Sequence, residues 1–214
     1  MSLTLKSFFL VVIASATALT VGTQDTYHLC DVSTAKIDLA GTTLPAPSFP
    51  PTFIGLGVGT QNYTCGSTGT YTNVGALAEL FDASCFPITD VFDSGAVISA
   101  AHVIEFPFIL GQHYFVTNPV TGTGLSPKWD FTSAAFAGNP AAFVVGSKID
   151  DVPAPTNSAA NIDWLYLTNL TGTLANEIYR VDTQGGQPPT SCTPGSPEIF
   201  VKYTAMYWLT GGSF

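Results

Sequence analysis

The stretch Asn176-Glu177-Ile178-Tyr179-Arg180-Val181-Asp182-Thr183-Gln184-Gly185-Gly186-Gln187-Pro188-Pro189-Thr190-Ser191-Cys192 decides how this chain is read. Ile178, Tyr179 and Val181 are aromatic or β-branched residues of the kind that fill strands. Residues two apart share a strand face, so the only arginine of the chain, Arg180, is expected on the same face as Asp182. Gly185 and Gly186 admit positive φ, and Pro188 and Pro189 cannot extend a ladder. The strand must therefore stop in a turn and hand Cys192 to a partner elsewhere.

Outward from this stretch the same signals recur at 52–65, 97–106, 113–117, 142–149, 163–168 and 198–209, separated by loops carrying Gly, Pro and Asn. Segment 73–81 is balanced: Asn73 suits the cap of a short helix, while a strand over 76–82 fits equally well. No amphipathic helix of three turns is legible. The pattern predicts an all-β, single-domain fold over 52–214, an antiparallel β-sandwich or partly closed barrel with long loops at 118–128 and 151–161, where functional variation is expected. An extended segment, 19–51, precedes it, kept out of the sheet by Pro45, Pro47, Pro50 and Pro51.

Gly55, Gly57 and Gly59 invite comparison with a dinucleotide-binding loop. That loop needs its last glycine one residue later and a helix behind it, whereas here Thr60 to Cys65 reads as strand. The glycines are read instead as a bare strand face that lets another backbone or an aromatic ring come close.

Lys6, the apolar run Phe8 to Ala14 and the small residues to Ala18 read as a secretion signal cleaved after Ala18. The apolar run is too short for a bilayer span. Cleavage would remove Lys6 and move the formal charge from -9 to -10, fifteen acidic residues against five basic ones. Such a surface repels nucleic acid and anionic membranes, so neither is an expected partner. Four cysteines, Cys30, Cys65, Cys85 and Cys192, predict two disulfides in an oxidising compartment, with three connectivities open. No cysteine or histidine spacing matches a metal site, and no cofactor is expected. Asn62 and Asn169 stand in glycosylation sequons, Asn62 being the doubtful one because it lies on an expected strand.

Several segments together carry a resemblance: Gly59 to Cys65, Trp129-Asp130, Val152 to Pro155, Ile162 to Leu165, Tyr179 to Gly186 with Pro188, Pro189 and Cys192, and Tyr203 to Tyr207. From about Leu44 onward the chain resembles a family of secreted fungal and bacterial proteins of unknown function, whose fungal members are often labelled malate dehydrogenase-like. The absent nucleotide-binding pattern speaks against that activity here. The resemblance implies pairing of Cys65 with Cys192 and of Cys30 with Cys85, each worth roughly 3 to 5 kcal/mol in the chain-entropy estimate.

Arg180 and Asp182 are candidate binding residues for a carboxylate or a sugar hydroxyl, with Tyr63, Tyr179 and Trp129 as apolar walls and His113 facing a cleft. The plainer reading, which the sequence favours, sets Arg180 in a half-buried ion pair with an acid that fixes strand register. His102 and Glu105 fall on opposite strand faces and make no acid/base pair. No catalytic residue is assigned. The expected function is a non-enzymatic secreted glycoprotein, extracellular or of the cell wall, that binds wall polysaccharide or acts on a host surface, stacking sugars on exposed Trp129, Trp164, Trp208 or tyrosines. One alternative is a secreted hydrolase using acids such as Asp90 with Asp93 or Asp150 with Asp151. The other is a structural wall or spore-coat component.

Overall fold

The computed structural model describes residues 30–85 and 108–213. Eight strands, β1 (Pro51–Cys65), β2 (Tyr71–Asp82), β3 (Ile109–Thr117), β4 (Leu125–Asp130), β5 (Phe143–Val152), β6 (Trp164–Gly172), β7 (Glu177–Gly185) and β8 (Ile199–Thr210), form one antiparallel barrel in sequence order. β8 returns to β1 through a register running from Pro51↔Thr210 to Tyr63↔Ile199, so the barrel is fully closed and the sandwich alternative falls away. Closure pairs the edges that an open sheet would expose. The secretion signal, the strand expected at 97–106, the pair His102 and Glu105, and Asp90 with Asp93 lie outside the described residues.

Two expectations resolve at the backbone. Segment 73–81 is strand β2. The loop expected at 118–128 ends early, because Leu125–Asp130 is strand β4. Pro127, Lys128 and Asp130 hide that strand from a propensity reading. Pro127 pairs in register with Phe115 of β3 and lies where β4 has no register partner in β5, a position a proline tolerates.

Alternation along β1 separates two cores. Phe53 points inward with Gly55, Gly57 and Gly59, while Ile54, Leu56 and Val58 point outward. A Cβ on Gly57 would come within 2.5 Å of the Tyr207 ring, and one on Gly59 would strike the Leu77 backbone. The bare face thus admits both a ring and a neighbouring strand. Outside, segment 32–44 crosses the barrel wall, with Val32 and Leu44 buried against Ile54, Leu56, Met206 and Trp208. Cys30–Cys85 fastens the start of this strap, and the buried Glu177 holds its end by accepting from Ser48 N and Thr210 Oγ1 at 3.0 Å each.

The strands alternate in direction, so connections 66–70, 118–124, 153–163 and 186–198 gather at one end and 131–142 and 173–176 at the other. The second end is sealed. Phe131 and Phe136 fold in from the β4–β5 connection and meet Phe53 edge-on at 5.2 and 5.6 Å. The first end is open. There β2 pairs with β3 only from Leu77 to Phe81, and β4 with β5 only from Lys128 to Asp130, so the β3–β4 hairpin beyond Phe115 and Pro127 is paired only with itself.

Candidate functional site

The open half of the barrel holds a cavity of about 500 Å³. Gln61 and Tyr63 of β1 and Asn73 of β2 line one side, and Phe115 and Ser126 of the free hairpin another. Ser147, Lys148 and Asp151 of β5, Ile162, Asp163, Leu165 and Leu167 before and on β6, and Arg180 of β7 complete the wall. Eight strands give a barrel an interior suited to one small ligand.

Arg180 stands in register opposite the inward-facing Tyr207 and is half-buried. Its Nε and Nη2 donate to the Asp163 carbonyl at 3.1 and 2.7 Å. The two ion pairs among the described residues, Lys128–Asp130 at 2.7 Å and Lys148–Asp151 at 3.0 Å, do not include it. The ion pair expected for Arg180 is therefore corrected to a main-chain contact. The expectation that Asp182 shares its face fails for a local reason. Three steps along β7, from Val181 to Gln184, match two along β8, and Asp182 takes φ 48°, so the two-residue alternation breaks there. Asp182 does not line the cavity.

Below the cup lies an aromatic floor. His113 is buried, stacks on Trp129 with ring centres 4.6 Å apart, and lies 5.2 Å from Tyr207. Its Nδ1 is 3.0 Å from the Lys128 carbonyl, which assigns the proton to that nitrogen. Burial holds its pKa down at about 3, even though that carbonyl favours the charged form. Tyr203 and Tyr207 join hydroxyls at 2.9 Å, and burial raises both phenols. His113 and Trp129 thus support the cup from beneath rather than line it.

Tyr63 lines the cavity with its hydroxyl donating to Gly186 O at 2.8 Å. Tyr179 faces the other way, into the outer core, and its buried hydroxyl has no hydrogen-bond partner. Trp129, Trp164 and Trp208 are all buried, at 1, 9 and 3% exposure, which overturns the expected exposed tryptophan platform. The inward face of β4 takes Trp129 into the inner core, and Trp164 and Trp208 belong to the outer core with Val32 and Leu44 of the strap. Asn169 uses Nδ2 to donate to Gly172 O and Ala175 O, both at 2.7 Å, in the β6–β7 turn. Asn62 Oδ1 accepts from Thr60 Oγ1 on β1. Among the described residues no three His, Cys, Asp or Glu side chains gather to hold a metal.

Sequence reasoning passed over Gln61 and Asp163. Gln61 is 4% exposed; its Oε1 accepts from Asn73 Nδ2 at 3.0 Å and its Nε2 has no partner. The signal for it was present, since it continues the odd-numbered face of Gly55, Gly57 and Gly59. Asp163 has its pKa raised by burial and by the charge of Asp151, with Arg180 and Lys148 opposing.

The disulfides pair Cys30 with Cys85 and Cys65 with Cys192, as the resemblance implies. The second pins the β7–β8 connection to the β1–β2 turn at the open rim, where Cys192 N also donates to Gly69 O.

Fold and site define an up-and-down antiparallel β-barrel, closed at one end and hollow at the other. The chain belongs to the family described as "Protein of unknown function (DUF3455)", whose model matches residues 45–211. No curated protein and no solved structure matches the chain.

Proposed function

We propose that this is a secreted, non-enzymatic protein, extracellular or of the cell wall, that holds one carbohydrate unit in the cup of its barrel. The observation that carries this reading is the cavity of about 500 Å³, which sets aromatic walls, Tyr63 and Phe115, beside the hydrogen-bonding groups of Gln61, Asn73, Ser147 and Arg180. Sugars are held by that combination of flat apolar contact and directional polar contact. Polysaccharide recognition moves accordingly from surface platforms to the barrel mouth, which fits a chain end or a released sugar. The secretion-like N-terminal pattern and two disulfides support an oxidising, extracellular setting. Isothermal titration of the disulfide-intact protein with mono- and disaccharides tests the reading. Saturable binding that Tyr63→Ala or Phe115→Ala weakens is expected, and folded protein that binds no sugar would overturn it.

A second reading rests on a specific pair. Asp151 and Asp163 both line the cavity, and Asp163 has the raised pKa that suits a general acid. The acid pair differs from Asp150 with Asp151, because Asp150 is not on the cavity wall. Chromogenic glycosides separate the readings: hydrolysis that Asp163→Asn abolishes would replace binding by catalysis.

A further inference from the structure

We infer that the cup is a seat for a carboxylate, held between the Arg180 guanidinium and the free Nε2 of Gln61, so that the sugar it takes is a sugar acid of the uronic kind rather than a neutral hexose. This rests on the reading of the cup as a carbohydrate site. Three observations lead to it.

The first is an unanswered donor. Gln61 is 96% buried, lines the cavity, has its oxygen satisfied by Asn73, and leaves Nε2 without a partner. A buried donor left unpaired costs free energy unless something answers it. Only an acceptor can.

The second is the state of Arg180. Its Nε and Nη2 are spent on a neutral carbonyl, and the Tyr207 hydroxyl beside it is likewise neutral, so neither cancels its charge. The other charged groups lining the cup do not cancel it at contact. Lys148 and Asp151 are paired with each other. Asp163 forms no ion pair with the guanidinium, and its raised pKa agrees, since a carboxylate in contact with arginine is held below its ordinary range. The only arginine of an acidic chain thus stands inside the barrel, with its charge open to the cavity.

The third is their proximity across the floor. Gln61 on β1 and Arg180 on β7 line the same cavity on either side of β8, whose Tyr203 and Tyr207 hydroxyls join at 2.9 Å, and Arg180 stands in register opposite Tyr207. Two donors of different elements, β1 and β7, thus face one cavity across the same pair of buried phenols. A planar carboxylate with two oxygens answers both, and guanidinium prefers it to any hydroxyl. The ring behind that carboxylate would meet Tyr63 and Phe115.

The test compares sugars that differ only at C6. D-glucuronate and D-galacturonate, titrated calorimetrically beside D-glucose and D-galactose, are expected to bind about tenfold to a hundredfold more tightly than their neutral counterparts. Arg180→Gln should erase that preference. Because Arg180 also ties down the Asp163 carbonyl, Gln61→Leu provides an independent variant that leaves this contact intact; it should weaken the acids about tenfold more than it weakens the neutral sugars. Benzoate supplies a carboxylate without a sugar. Equal binding of acids and neutral hexoses would overturn the carboxylate seat while the carbohydrate cup stands. Binding of benzoate, lost in Arg180→Gln, with no binding of any sugar would uphold the seat and overturn the carbohydrate reading. No binding of any of these would overturn both.

Discussion

The two ends of this barrel are made by the same strands and behave as opposites. β1 runs from Phe53 at the sealed base to Gln61 and Tyr63 at the mouth, and β7 from the fully buried Ile178 to the half-buried Arg180. At the base Phe53, Phe131, Phe136, Leu110 and Leu174 pack together, Phe53 edge-on to the stacked rings of Phe131 and Phe136, and apolar burial stabilises the fold. At the mouth the inward positions turn polar, the β3–β4 hairpin leaves the ladder, and a buried donor goes unanswered. Stability and recognition are thus separated along the barrel axis.

The largest effects should come from the bridges, one at each end. Replacing Cys65 and Cys192 by Ser opens a loop of sequence separation 127, against 55 for Cys30 and Cys85. The chain-entropy ceilings are roughly 5 and roughly 4 kcal/mol, read from urea unfolding. Only the first pair should also weaken binding in the cup, because it holds the connection whose Gly186 carbonyl anchors Tyr63. Equal loss of binding in both variants would break the contrast between the ends.

Phe131→Ala comes next, at about 3 to 5 kcal/mol for a ring removed from a filled base. Its effect on ligand affinity in protein that remains folded should be nil. A changed affinity would mean that base and cup are coupled.

His113 sharpens the boundary between the two ends. Its folded pKa of about 3 lies below the ordinary 6.5, so between those values the unfolded chain binds more protons than the folded one. Its contribution is therefore complete above about pH 6.5 and is lost as the pH falls toward 3. Unfolding free energies of His113→Phe measured across that window should fall less steeply with acidification than those of the parent. Parallel curves would refute the buried neutral imidazole.

The smallest effect belongs to Tyr63→Phe, about 1 kcal/mol for one buried hydrogen bond to Gly186. A loss several times larger would show that the rim, too, is part of the stabilising core.

Legibility followed the range of the interaction. The bare glycine face of β1, the strand character of Thr183 and its neighbours, and the turn at Gly185 and Gly186 are decided by side chains next to one another, and they were readable. β4 was not, since Pro127, Lys128 and Asp130 obscure a strand that is held by register with β3 and by an outer clamp of Lys128, Asp130 and Tyr114. The candidate site was readable in part. Tyr63 and Arg180 do face the cup, but Tyr179 is one residue out of phase with Arg180 and faces the opposite core, while Asp182 is displaced by a bulge that no composition announces.

By itself the sequence determined most of the strands though not β4, their two-residue alternation, the even set of cysteines and the acidic balance, because each depends on composition or on near neighbours. Only the tertiary structure decided which face of each strand became the inside, that β8 closes on β1, that all three tryptophans are covered, and that Arg180 meets a carbonyl instead of an acid. The physical reason is that alternation defines two faces without ranking them. Closure ranks them, through pairings between residues at opposite ends of the chain, and it is closure that makes one face a core at the base and a binding cup at the mouth.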